Sequence, residues 1–179
     1  MFLETQRLIL RNLKEVDLPD YLRFRNSEFV LRYNAMARQS AEQAEEYIRS
    51  NLTNDRHVAI ALKDTDAFVG MIYIEEDSLR YKANSLEASY WLGEPYSAQG
   101  IMTEALGAVV QKLFSREQIA SVTVRVFADN PGSGRLLRRL GFRQEGHLRE
   151  AVLGYDGALH DDLLFSLRRD EQVPAVMDD

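Results

Sequence analysis

The order strand, helix, strand, helix between residues 85 and 139 constrains this chain more than any other feature. "SLEASYWL" (85–92) is an apolar strand, and "SVTVRVF" (121–127) returns to strand alternation. Between them lies an apolar stripe at helical spacing, enough for about four turns, formed by Met102, Leu106, Val109, Val110 and Leu113. A strand that returns after a helical crossover lies parallel to the first strand. The chain therefore contains a parallel strand pair.

The N-terminal half predicts further strands and two or three helices. "RLILRNL" (7–13) is a short strand, and "EVDLPDYLRFRNSEFVLRY" has apolar residues at the spacing of one or two short helices. Ser40 and Gln43 form a capping box for a helix across "AEQAEEYIRSNL". "HVAIAL" (57–62) and "FVGMIYI" (68–74), separated by "KDTDA", predict an antiparallel hairpin.

The C-terminal part predicts one more helix and two more strands. "DNPGSGRLLRRLGF" reads as a helix with Asn130 as N-cap, Pro131 in the first turn and Gly141 just past the end. "FRQEGHLREAVL" and "DDLLFSL" (161–167) supply the strands. We expect a mixed α/β (α+β) fold with a mostly antiparallel sheet of six or seven strands and helices on both faces. One domain should span residues 1–170, with a flexible tail at 171–179.

Composition narrows the class of function. The 179 residues carry a formal net charge of −6, which argues against a nucleic-acid partner held by phosphate neutralisation. The absence of cysteine excludes disulfides, thiolate metal sites and a cysteine nucleophile, and it fits a reducing compartment. Three scattered histidines have no zinc-ligand spacing, so no metal is expected. Neither a signal peptide nor a membrane span is visible, so a cytoplasmic location is expected.

The turn between the strand at 85–92 and the next helix has the features of an anion site. The first helical N–H groups have no partners within a helix, and the helix dipole adds positive charge there. Gly100 lacks a Cβ, so a phosphate can approach the main chain of "SAQGIMT" closely, and Thr103 can add a hydroxyl donor. The alternative is that Gly100 only makes the turn.

A second helix start lies one strand later. Asn130 and Ser133 open a helix that follows the second parallel strand. If the two strands are neighbours, both helix N-termini face the same sheet edge, where such sheets bind ligands. Taken alone, Asn130 is explained as an N-cap and Ser133 as a solvated first-turn residue.

Four segments together resemble the GNAT superfamily of acetyl-CoA-dependent N-acetyltransferases, with the closest likeness to its bacterial ribosomal-protein N-terminal acetyltransferases. They are "TQRLILR", "EASYWLGEPYSAQGIMTEAL", "NPGSGRLLRRLGFRQEGHLRE" and "HDDLLFSL". They follow the family's order and span nearly the whole chain. The resemblance implies a GNAT-like sheet with a V-shaped splay between two parallel central strands.

The resemblance also implies where acetyl-CoA binds. Its pyrophosphate is expected on the main chain of the loop residues Ala98, Gln99, Gly100, Ile101, Met102 and Thr103. Its pantetheine arm is expected beside the strand end at Trp91, Leu92 and Gly93, with Asn130 in contact. The superfamily loop begins with Gln or Arg and ends with Gly or Ala. Ser97 and Met102 depart from that pattern and put the strength of CoA binding in question.

The implied reaction is direct attack of an amine on the thioester. By resemblance, Ser133 is the general acid that protonates the departing sulfur. Glu87 matches a glutamate found in several relatives and is a candidate base. A second family glutamate falls on Val152, and Glu150 lies two residues away on the expected same strand face. Either carboxylate could instead be a solvated strand residue.

The acceptor stays open between three hypotheses: a protein N-terminal α-amine of the ribosomal-protein type, a small amine (polyamine, amino sugar or antibiotic), or no acceptor, in a non-catalytic CoA-binding sensor. Arginines at 23, 25, 32 and 38 would suit an acidic acceptor, whereas the acidic "DGALHDD" would suit a cationic one. Relatives are often dimers, so a homodimer is a further open expectation.

Overall fold

Residues 1–171 are described by a computed structural model in which eight strands form one sheet. The strands are β1 (Leu3–Glu4), β2 (Leu8–Arg11), β3 (His57–Leu62), β4 (Phe68–Glu76), β5 (Ser85–Leu92), β6 (Ser121–Phe127), β7 (Arg143–Leu153) and β8 (Leu159–Arg168). Their order is β1-β2-β3-β4-β5-β6-β8-β7. β5 and β6 are parallel and the other described neighbours are antiparallel. Within residues 1–171 the sheet has one strand more than the six or seven that the sequence predicts. The additional strand is the two-residue β1, which pairs with β2. Of the predicted tail, 172–179 lies outside the described residues.

Helices cover both faces of the sheet, as predicted. They are α1 (Leu18–Arg25), α2 (Glu28–Leu31), α3 (Ala41–Asn51), α4 (Ile101–Arg116) and α5 (Pro131–Arg139). α1, α2 and α3 pack on one face of the sheet, in a core that includes Tyr21, Ile48 and Met71. α4 and α5 pack on the other face, with Leu106 and Leu137 against residues such as Ile60. Among residues 1–171, no helix combines the length and hydropathy needed to cross a bilayer.

The predicted helix ends are confirmed by their hydrogen bonds. The Ser40 hydroxyl accepts from the Gln43 N–H at 3.2 Å, and the Ser40 N–H donates to the Gln43 side chain at 2.9 Å. The Asn130 Oδ1 accepts from the Ser133 N–H at 3.2 Å, which caps α5. These local bonds satisfy N–H groups that helix geometry leaves free.

A buried carboxylate fixes the end at which β5 and β6 pair. The Asp77 side chain is fully buried. Its Oδ2 accepts from the Thr123 hydroxyl at 2.6 Å, the Ser85 hydroxyl at 2.7 Å and an Arg80 Nη1 at 3.1 Å. Burial disfavours the charged form, but these hydrogen bonds outweigh it and lower the pKa of Asp77. Ser85 begins β5 and Thr123 lies on β6, so one carboxylate joins the two parallel strands.

Replacing Asp77 with Asn should lower the free energy of unfolding by about 3 kcal/mol, because an amide nitrogen would face donors that need an acceptor. Denaturant unfolding at pH 7 measures this loss. The lowered pKa of Asp77 means that its stabilising contribution is present above the unfolded value of about 4 and is lost as the pH falls through the folded value. The difference between the two proteins should therefore shrink on acidification. Glu76→Gln, on an exposed neighbour, is the control; an equal loss in both variants would contradict the assignment.

Candidate active site

β5 and β6 pair over three residues and then separate. Their register is Ser85 with Ser121, Leu86 with Val122 and Glu87 with Thr123. Beyond Glu87, β5 stays paired with β4 as far as Leu92, and β6 stays paired with β8 as far as Phe127. The facing edges of residues 88–92 and 124–127 are thus not joined to each other. A cavity of about 970 Å³ occupies this gap.

The start of α4 forms one wall of the cavity. Ala98, Gly100, Ile101, Met102 and Thr103 line it. Gly100 has a φ of 74°, in the left-handed region that favours glycine, and Ala98 also has a positive φ of 57°. The first N–H to bond within the helix is that of Glu104, to the Gly100 carbonyl at 3.0 Å. The preceding N–H groups, at the positive end of a 16-residue helix, are available to an anion.

A clamp from the turn between β1 and β2 holds this loop, and no local pattern in the sequence predicts it. Arg7 donates from Nη1 to the Gln99 carbonyl at 2.9 Å and from Nε to Glu104 Oε2 at 2.7 Å. The Thr5 hydroxyl donates to Glu104 Oε1 at 2.6 Å. Burial opposes the charged form of Glu104, yet the bonds from Thr5 and Arg7 prevail and lower its pKa. The clamp joins residues 97 positions apart, which no local sequence signal reports.

The two loop residues that depart from the family pattern have roles within the fold. The Ser97 hydroxyl donates to the Glu94 carbonyl at 2.8 Å and closes a turn before α4. The Met102 side chain is buried in the core formed by α4 and the sheet. Gln99 does not line the cavity; its side-chain amide donates to the Pro95 carbonyl at 2.8 Å. The loop therefore offers main-chain donors rather than a long side chain to a ligand.

The start of α5 forms a second wall, opposite β5. Asn130 and Ser133 both line the cavity, and so does Tyr90 of β5. The Tyr90 hydroxyl is buried and has no hydrogen-bond partner within residues 1–171. Burial raises the pKa of Tyr90 to about 12, with the neighbouring Ser133 hydroxyl acting in the opposite direction. The Tyr90 and Ser133 hydroxyl groups are therefore neighbours, although they do not reach the geometry of a regular hydrogen bond.

Charged groups occupy the other face of the same gap. Glu87, Arg125 and Asp162 line the cavity, and an Arg125 Nη2 lies 2.7 Å from Asp162 Oδ2. Burial raises the pKa of Glu87; the Arg125 charge counteracts this, and the carboxylates of Asp77, Glu75 and Asp162 add to it. The Arg125 Nε is buried without a partner within the described part of the chain. Sequence reasoning singled out Glu87 but neither Arg125 nor Asp162.

The remaining predicted site residues divide into two groups. Trp91 and Leu92 line the cavity, whereas Gly93 does not. A Cβ on Gly93 would lie 2.8 Å from the Phe24 ring, so glycine is required there by packing. Glu150 does not line the cavity although Val152 does, so the expected shared strand face is wrong. The register of β7 shifts between Leu148 and Val152, and Glu150 has a φ of 48°, which breaks the alternation.

The residues at the gap fit a phosphate-bearing thioester donor. The start of α4 supplies N–H donors, the start of α5 contributes the Asn130 and Ser133 side chains, and the open strand edges can pair with an extended amide-containing arm. Within residues 1–171, no group of three or more metal-ligating side chains is assembled. Fold and site together define a group-transfer enzyme that binds an anionic donor at a split parallel strand pair.

Comparison with known proteins identifies the family. Residues 7–143 match the Acetyltransferase (GNAT) domain. The chain is 30% identical over 171 residues to the uncharacterized N-acetyltransferase YoaA of Bacillus subtilis (strain 168), covering 92% of this chain and 95% of that relative. The protein belongs to the GNAT family and is an acetyl-CoA-dependent N-acetyltransferase.

Other matches share part of the sequence or the fold. It is 32% identical over 85 residues to a ribosomal protein uS5-alanine N-acetyltransferase of Escherichia coli (strain K12), covering 48% of this chain and 43% of that protein. A GNAT acetyltransferase from Bacillus anthracis shares the fold with a TM-score of 0.86 at 18% identity, over 96% of this chain and all of that one. A ribosomal L7/L12 α-N-protein acetyltransferase in complex with coenzyme A has a TM-score of 0.78 at 21% identity, over 92% of this chain and 95% of that one.

Replacing Gly100 with Val should weaken acetyl-CoA binding at least tenfold, because a β-branched residue is strained at its positive φ and the loop would have to move. Calorimetric titration with acetyl-CoA measures the effect. Gly157→Val is the matched control, since Gly157 also has a positive φ, at 79°, and does not line the cavity. Equal affinity in the two folded variants would remove the loop from the donor site.

Proposed function

We propose that this enzyme transfers the acetyl group of acetyl-CoA to a protein N-terminal α-amine. The donor lies on the sheet face that carries α4 and α5, with its pyrophosphate at Gly100 to Thr103 and its thioester near Ser133. The acceptor enters from the face that carries α1 and α2. Alternation along β5 supports this division, because Tyr90 and Leu92 pack with the α4 core while Trp91 belongs to the α1 core.

The observation that carries the proposal is the half-buried carboxylate of Glu87 beside the gap. Its raised pKa makes it a stronger base than a solvated glutamate. An α-amine titrates near ~8, so a carboxylate with a raised pKa, acting directly or through water, can help to deprotonate it. A lysine-like amine near ~10.4 would need a stronger base. Glu87 therefore favours an α-amine.

The chemistry needs no enzyme nucleophile. The neutral amine attacks the thioester carbon, loses one proton to Glu87, and the C–S bond breaks. The departing sulfur takes one proton from the Ser133 hydroxyl, which regains it from solvent. The products are an amide and the free thiol of CoA. N–H groups on the open edge of β5 are positioned to stabilise the carbonyl oxygen during attack.

The mouth of the acceptor side suits a polypeptide. Phe29 lines the cavity and is 42% exposed, and Leu153 and Leu159, 60% and 59% exposed, form a cross-strand pair next to the lining residue Val152. Exposed apolar groups around a cavity are typical of binding surfaces. Relatives that carry the names of ribosomal-protein alanine and serine acetyltransferases support the same acceptor class.

Glu87→Gln should lower kcat/KM by about 10- to 100-fold, because the amide cannot accept the amine proton. Activity requires the ionised carboxylate, so the wild-type rate should rise with pH through a pKa above that of an ordinary glutamate, about 4.3. The variant should lose this acidic limb. Rates of thiol release between pH 4.5 and 9 measure both effects, with Glu76→Gln as the control. An unchanged limb in Glu87→Gln would exclude Glu87 as the base.

A short peptide with a free N-terminal Ala or Ser should be acetylated with a kcat/KM at least about 100-fold above that of polyamines such as spermidine, because an α-amine near ~8 loses its proton more readily than an alkylamine near ~10.4. Mass spectrometry of the products identifies the modified nitrogen. The same peptide with a blocked N-terminus and an internal Lys is the control. A preference for the small amines would overturn the N-terminal assignment, and no acceptor-dependent thiol with any amine would favour the sensor.

A further inference from the structure

The Tyr90 hydroxyl lies where a folded protein rarely leaves a polar group. It is buried, it has no hydrogen-bond partner among residues 1–171, and it belongs to a cavity-lining strand. Such an orphaned hydroxyl costs about 1–3 kcal/mol of stability. Phenylalanine would fill the same space without this cost. Stability alone therefore gives no reason for the hydroxyl at this position.

Ser133 is the polar side chain beside it. The Ser133 hydroxyl lies close enough to Tyr90 to act on it as a hydrogen-bonding side chain and to lower its pKa, although the two groups do not reach the geometry of a regular hydrogen bond. The Ser133 main chain is fixed, since its N–H is bonded to Asn130 Oδ1 at 3.2 Å in the first turn of α5. Its hydroxyl is free to turn about χ1. Rotation about χ1 sets the direction of this hydroxyl relative to Tyr90.

From this arrangement we infer that Tyr90 is a positioning residue: its hydroxyl donates a hydrogen bond to Ser133 Oγ and thereby directs the Ser133 hydrogen into the cavity, toward the sulfur of the donor. The inference rests on the role of Ser133 in the proposed function. A phenol is a better donor and a poorer acceptor than an aliphatic alcohol, which sets the direction of the bond. The Tyr90 hydroxyl stays protonated across the neutral range, since its pKa is about 12.

The direction of this bond matters for the rate. A serine hydroxyl has one hydrogen and several rotamers, and only one orientation places that hydrogen on the departing sulfur. When the Tyr90 hydroxyl donates to a lone pair of the Ser133 oxygen, the Ser133 hydrogen stays free to bond the ligand. Preorganisation of this kind acts on the transition state rather than on the binding of the donor.

A double-mutant cycle on Tyr90 and Ser133 tests the inference. Ser133→Ala should lower kcat more than tenfold, and Tyr90→Phe should lower it about three- to tenfold, with the acetyl-CoA Kd unchanged in both. In the double variant, Tyr90→Phe should add no more than about twofold to the effect of Ser133→Ala, because it acts through that serine. Tyr90→Phe should also unfold at the same temperature as the wild type or higher.

The outcomes separate this inference from the proposed function. Wild-type turnover in Ser133→Ala removes the serine from the mechanism and overturns the proposed acid. A defective Ser133→Ala combined with a fully active Tyr90→Phe, or with multiplicative effects in the double variant, leaves the acid in place and overturns the role of Tyr90. Tyr81→Phe, on a residue that is 88% exposed, controls for loss of a hydroxyl.

Discussion

The active site depends on the short parallel contact between β5 and β6. Three residue pairs join the strands, and the buried Asp77 carboxylate fixes them at that end by accepting from Ser85 of β5 and Thr123 of β6. Beyond this point the strands are held by different neighbours, β4 and β8, and diverge. The gap therefore arises because β5 and β6 each pair with a different neighbouring strand beyond their short contact. Both helices that follow these strands begin at its rim, so the N–H groups at the start of α4 and the polar side chains at the start of α5 meet there.

The sheet separates two environments across this gap. On the α4 side the gap meets hydroxyl and main-chain groups, including Tyr90 and Ser133, and on the other side it meets the charged set of Glu87, Arg125 and Asp162. Burial raises the pKa of both Glu87 and Tyr90. The raised pKa has a different consequence for each group. It makes the Glu87 carboxylate a better base, and it keeps the Tyr90 phenol protonated as a hydrogen-bond donor at neutral pH. One physical cause thus prepares a proton acceptor and a proton donor on opposite faces.

Much of the fold could be predicted because its signals are local. The bounds 57–62, 85–92 and 121–127 follow from apolar runs ended by turn residues, and the caps at Ser40 and Asn130 follow from side chains that bond within three residues. The clamp of Arg7 on Glu104 could not be predicted, since it joins distant segments. Glu150 was placed on the cavity face by strict alternation, and the irregularity in β7 removes it from that face. The sequence pattern predicts Tyr90 only as a strand residue, since nothing in it shows that the buried hydroxyl lacks a regular hydrogen-bond partner.

Unsatisfied polar groups mark where the fold has been shaped by something other than stability. Within residues 1–171, three buried side-chain atoms lack a partner, and two of them, the Tyr90 hydroxyl and Arg125 Nε, belong to residues that line the gap. Each is destabilising by about 1–3 kcal/mol in the free protein. The third such atom among the described residues, Gln39 Oε1, lies away from the gap, whereas a group such as Asp77 is paired several times over. A fold able to satisfy Asp77 with four donors, including the Leu79 N–H, could have satisfied these two groups. Both atoms belong to residues of the gap, so the part of the hydrogen-bond network left incomplete in the free protein is the part nearest the proposed chemistry.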